Sequence, residues 1–142
     1  MKKLLSLCLI LFGFVFNSFA ADEKETTPAT DETPKSEYGY FALEPEIVTN
    51  YISNRKKLGF VKLSVELMVK NQEDLVTLEL HDPLLRAAII EVLGNQAEEK
   101  VKSLTGREEI RRECFDVVNK LLTQEAGKAL VVNLLFTSYL YD

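Results

Sequence analysis

The stretch GFVKLSVELMVK, residues 59–70, constrains this chain more than any other part of it. Val61, Leu63, Val65, Leu67 and Val69 alternate with Lys62, Ser64, Glu66, Met68 and Lys70. Successive side chains of a strand point to opposite faces, so a period of two predicts a strand buried on one face and wet on the other. NQED, residues 71–74, closes it as a turn. The apolar face needs a cover, and the rest of the chain has to supply one.

Two helices are the expected cover. In HDPLLRAAIIEVLGNQAEEKVKSL, residues 81–104, the apolar residues Leu85, Ala88, Ile89, Val92, Leu93, Ala97, Val101 and Leu104 recur at helical spacing, with Gly94 a weak point. Asp82 is placed as the N-cap and Pro83 at the first helical position, where its missing N–H costs nothing. LVTLEL, just before, reads equally as a short strand or an early helical turn. TGRE then matches a capping box, Thr105 with Glu108 three residues on. Ile110, Cys114, Val117, Val118, Leu121 and Leu122 line one face of a second helix to about Gln124, and Gly127 turns the chain toward ALVVNLLFTSYLY.

YGYFALEPEIVTNYI is β-prone and interrupted by Pro45, which confines it to an edge or a break in pairing. The expected order is therefore strand, strand, helix, helix, strand: an α+β fold with a small, mostly antiparallel sheet and two consecutive helices on one side. The closing LLFTSYLYD is apolar or amphipathic on both alternating sets, Leu134, Phe136, Ser138 and Leu140 against Leu135, Thr137, Tyr139 and Tyr141. That pattern predicts a strand covered on both faces and interior to the sheet.

The start of the chain sets its compartment. MKKLLSLCLILFGFVFNSFA, residues 1–20, has a basic start, an apolar run and small residues before a cleavage point after Ala20, the layout of a signal peptide. An uncleaved inner-membrane anchor through residues 4–20 is the alternative. Either way the remainder crosses to the periplasm. Residues 21–37, ADEKETTPATDETPKSE, lack large apolar residues and read as a flexible acidic linker, and residues 38–142 form the folded domain. Removing Lys2 and Lys3 from 17 basic and 22 acidic residues leaves a net charge of −7, which repels phosphate backbones and excludes nucleic acid as a partner.

No constellation for catalysis emerges. His81 is the one histidine and Cys114 the one cysteine after the leader, too few for a metal set or a disulfide framework. Glu108 and Arg112 are four apart on a helix surface, a solvated pair. Gly94, Gly106 and Gly127 stand alone and make no phosphate loop. Arg55, Lys56 and Lys57 form a basic cluster, a soluble turn or a contact for anionic lipid or an acidic partner. The expectation is no enzyme, no catalytic, cofactor-binding or metal residues, and no cofactor.

Residues 38–142 resemble the periplasmic domain of FliL, the flagellar basal-body-associated protein. The resemblance lies in the order of YFALEPEIVTNYI, FVKLSVELMV, HDPLLRAAIIEVL, LTGREEIRRECFDVVNKLL and the terminal LLFTSYLYD, most specifically in Pro83, Leu85, Arg86, Ile89, the GREEIRRE stretch and Phe136-Thr137. It implies a stomatin-type SPFH-like fold and a non-enzymatic accessory of the flagellar motor at the basal body. It further implies association with stator units of the MotA/MotB type, support of torque under load, and homo-oligomerisation, in rings. The family usually carries a cytoplasmic tail and a membrane span, and the short cleavable leader here departs from it. A periplasmic small-ligand binding module is the alternative function.

Overall fold

The computed structural model describes residues 37–54 and 58–142. The expected leader, the expected linker up to residue 36 and the basic cluster Arg55, Lys56 and Lys57 lie outside these residues. Among the described residues no helix is long and apolar enough to cross a membrane.

The alternating stretch is strand β3, Gly59–Val69, and its odd-numbered residues from Val61 to Val69 are all buried. It is the central strand of a four-stranded antiparallel sheet. Strands β1 (Gly39–Ala42) and β2 (Ile47–Tyr51) lie in tandem along one edge, Ala42 opposite Glu66 and Ile47 opposite Leu63. Between them the chain passes a cis Glu44–Pro45 bond. The β-prone run around Pro45 is thus two strands and not one, because a residue without an N–H interrupts the ladder there. Strand β4 (Val131–Tyr141) takes the other edge along the whole of β3.

Three helices separate β3 from β4. After a 3₁₀ turn at Gln72–Asp74 come α1 (Leu75–Gly94), the short α2 (Glu98–Lys102) and α3 (Leu104–Ala126). The order is therefore three strands, three helices and a strand, in place of the β-β-α-α-β expected. The α+β class and the antiparallel sheet hold.

Helix α1 starts at Leu75, eight residues before the expected Pro83, because LVTLEL is helical: its Leu78 is fully buried and Leu75 packs over Gly39. Pro83 consequently lies inside the helix and Asp82 caps nothing; its carboxylate faces Arg86 one turn on, 3.9 Å away. Helix α1 ends at Gly94. Gln96 is buried beyond it and donates to the Val92 carbonyl (2.8 Å) and to Glu113 Oε2 (3.0 Å), while its own carbonyl accepts from Ile52 N at 2.9 Å. These bonds fix the break before α2 against the end of β2.

The cap of α3 is Ser103, whose Oγ accepts from Gly106 N at 2.9 Å, so the expected Thr105 and Glu108 box is not formed. Glu108 is instead held by Arg111 and Arg112. The buried residues of α3, Gly106, Ile110, Cys114, Val118 and Leu122, fall every fourth position, a single ridge against the core. Gly127 ends the helix at φ 79°, where its N–H reaches the Thr123 carbonyl (3.1 Å). That left-handed conformation suits glycine.

The core lies between one face of the sheet and the helices. Leu78, Leu85, Ile89 and Leu93 from α1 and the ridge of α3 meet the buried face of β3 with Leu134 and Val131 of β4. Each fully buried Leu, Ile or Val contributes about 1.5–3 kcal/mol.

The terminal strand is an edge strand, contrary to the interior position expected. It pairs with β3 alone, and its outer-face residue Leu140 is 60% exposed. Two register shifts, at Val132 and at Thr137, also break its alternation. Residues opposite the buried positions of β3 are Val131, Leu134, Phe136, Tyr139 and Tyr141. Each shift inserts one unpaired residue and so moves later side chains to the opposite face. Phe136 and Tyr139 therefore share the core face, whereas simple alternation separates them.

Candidate functional site

Among the described residues, His81, Cys114 and Glu108, singled out in the sequence for chemistry, are all engaged structurally. His81 sits on the second turn of α1, half-buried, and its Nδ1–H donates to the Thr77 carbonyl at 2.8 Å. Cys114 is fully buried on the α3 ridge, and burial pushes its thiol up to about 12. A thiol at that level stays protonated and is a core side chain. Among the described residues no group of three His, Cys, Asp or Glu could hold a metal ion.

Glu108 has the most perturbed carboxylate. Arg111 donates to it from Nε (2.8 Å) and Nη2 (2.7 Å), and Arg112 adds Nε at 3.2 Å. The Arg111 bonds first, then those of Arg112, lower its pKa to about 2. Arg111 also donates from Nη1 to the Leu134 carbonyl (2.8 Å) and to Asn133 Oδ1 (3.2 Å). Two residue-turns along, Asn119 donates to the Val131 carbonyl (2.8 Å) and accepts from Val131 N (3.0 Å). Side chains of α3 thus occupy backbone groups of β4 that strand pairing leaves free, which protects the edge from other chains.

The far end of β4 carries an aromatic and cationic cluster that sequence periodicity did not reveal. Tyr51, buried on β2, stacks over Gly59 so closely that a Cβ there would lie 2.1 Å from the ring, and its hydroxyl donates to the Asp142 carbonyl at 2.6 Å. Lys102 Nζ lies 5.9 Å from the centroids of both Tyr51 and Tyr141 and 3.1 Å from Glu98 Oε1. Glu98 first, then Tyr51, raises its pKa. Arg107 lies 5.6 Å over the Tyr139 ring, and Tyr139 in turn stacks on Phe136 at 5.7 Å and donates to the Val101 carbonyl (3.1 Å). Burial raises the Tyr139 phenol to about 12. Beside them Leu104 is 83% exposed. Gly106 makes the arrangement possible, since any Cβ there would meet the Lys100 carbonyl at 2.1 Å.

A second surface runs along α1. Leu78, Leu85, Ile89 and Leu93 face the core, yet Val76 (69% exposed), Leu80 (76%), Leu84 and Ile90 face out. Pro83, Ala87 and Gly94 are exposed on the same side. Apolar side chains grouped on the outer side of a helix depart from the usual polar solvent face. Both surfaces expose large side chains, Leu104 and Tyr141 at one and an aliphatic strip at the other.

Comparison with known proteins gives two matches. A family model described as "Flagellar basal body-associated protein FliL" matches residues 40–141. The chain is also 27% identical over 99 residues to the flagellar protein FliL of Aquifex aeolicus (strain VF5), a match that covers 70% of this chain and 58% of that relative. The chain therefore spans less than two thirds of the relative's length.

Proposed function

The chain belongs to the FliL family of flagellar basal body-associated proteins, and on that premise we propose that it is a non-enzymatic accessory of the flagellar motor that attaches to stator units and supports torque under load. In this reading residues 1–20 are a leader cleaved after Ala20, residues 21–37 a spacer, and residues 38–142 a periplasmic domain at the basal body, with the stomatin-like SPFH kinship such domains are credited with. Stator units of the MotA/MotB type are the partners.

The observation that supports an attachment role most is the apolar outer face of α1. Val76 and Leu80 are each more than two-thirds exposed on a helix whose other side already fills the core. Leaving two Leu or Val side chains uncovered forgoes about 1.5–3 kcal/mol apiece, which a bound partner recovers. Self-association is part of the same reading, through the cluster of Leu104, Arg107, Tyr139 and Tyr141 and the open face of the sheet.

In-cell photo-cross-linking tests the attachment. A photoreactive residue at position 80 is expected to capture a stator protein in motile cells, and one at buried position 89 is not. Capture of stator protein from neither position, nor from any exposed position on α1, contradicts the reading.

A further inference from the structure

The outer face of α1 has a periodicity that selects its occupant. Val76, Leu80, Pro83, Ala87, Ile90 and Gly94 succeed one another in steps of four, three, four, three and four. Alternating steps of four and three are the spacing of a seam along which one helix receives another, side chains of each entering gaps of the other. At 20 residues α1 offers a seam about 30 Å long.

The borders of the seam are acidic. Glu79 and Glu91 are exposed beside it, and neither is in an ion pair among the described residues. The single cation of α1, Arg86, is already committed: Nη1 donates to the Pro45 carbonyl at 2.6 Å and Nη2 faces Asp82. Pro83 adds to the negative character, because it has no N–H to offer the Glu79 carbonyl one turn back. A second copy of α1 would bring the same two carboxylates and no free cation. A helix bordered by lysine or arginine would find both the seam and the charge it needs.

We propose that the outer face of α1 docks an amphipathic helix of a partner chain whose apolar seam is bordered by Lys or Arg. The inference rests on the reading of α1 as an attachment surface and adds the conformation and charge of what it holds.

Two labelled synthetic helices of about 20 residues, with the same Leu/Ile/Ala seam and either Lys or Glu at its borders, test it by fluorescence anisotropy against the full chain. The lysine-bordered peptide is expected to bind at least about tenfold tighter than the glutamate-bordered one, and more weakly at high salt. Leu80→Glu should abolish its binding although it adds negative charge, and the pair Glu79→Lys with Glu91→Lys should reverse the preference without touching the seam. Three results overturn the proposal: equal or absent binding of the two peptides, lysine-peptide binding that Leu80→Glu leaves intact, which would be bulk attraction alone, or sedimentation showing a dimer that Leu80→Glu dissociates, which would make a second copy the occupant. Any of these can occur while position 80 still cross-links to a stator protein in cells, so failure here is distinct from failure of the attachment reading.

Discussion

Arg111 on α3 donates to the Leu134 carbonyl on β4 at 2.8 Å while its other two nitrogens grip Glu108. One side chain thus fixes the helix to the sheet edge and is itself held in position by a carboxylate three residues away. Arg111→Met keeps the aliphatic stem and removes every one of these bonds. It should cost about 1.5–3 kcal/mol, the range of a hydrogen bond to a charged group, read by urea denaturation. Arg111→Lys should recover only part of the loss, since an ammonium cannot make the forked contact.

The same pair predicts an acid-labile contribution. The Glu108 carboxylate, held near 2 by Arg111 and Arg112, has an ordinary value of 4.5 when the chain is unfolded. Its folded pKa is depressed, so its stabilisation is fully present above pH 4.5 and is lost as pH falls toward 2. The difference in stability between wild type and Glu108→Gln should be constant from neutral pH down to about 5 and should vanish near pH 2. A difference that is unchanged at pH 2.5 would mean Glu108 is not held by the arginines in solution.

Gly59 and Tyr51 make a third test. A Cβ at position 59 would lie 2.1 Å from the Tyr51 ring, which packs across the strand pair and bonds Asp142. Gly59→Ala should therefore displace the ring and destabilise by about 1–3 kcal/mol, visible as a lowered melting temperature. Gly59→Ala combined with Tyr51→Leu should lose less than the two single changes added together.

The shifted register of β4 gives a ranked prediction. Leu134 is fully buried, Phe136 is half-buried against the core, and Leu140 points outward. Leu134→Ala should cost about 2–5 kcal/mol, Phe136→Ala less, and Leu140→Ala within about 0.5 kcal/mol of nothing. Equal costs for Phe136 and Leu140 would put them on one face, as uninterrupted alternation has it.

How far the fold was legible follows from these residues. β3 was read in full because a half-buried strand writes its burial directly into a period of two. The helices were read as helices, but the start of α1 was misplaced by Pro83: proline favours a first turn, and here burial of Leu78 outweighed that preference. The position of β4 was misread because its bulges at Val132 and Thr137 mix the two faces, so an edge strand looks apolar on both. The candidate surfaces were least legible. With large apolar residues on both its core side and its outer side, α1 does not say which side is inward, and the cluster of Tyr51, Tyr139, Tyr141, Lys102 and Arg107 assembles from segments up to 90 residues apart.

Swimming speed as a function of load, in cells that carry Leu80→Glu in place of the native chain, tests the central claim most directly. The substitution lies on the exposed face of α1, so the protein should accumulate normally and filaments should assemble. The account predicts near-normal speed in thin medium and a progressive loss as viscosity rises, following the deletion strain. Wild-type speed at every viscosity, in the deletion strain as well as in Leu80→Glu, would contradict it.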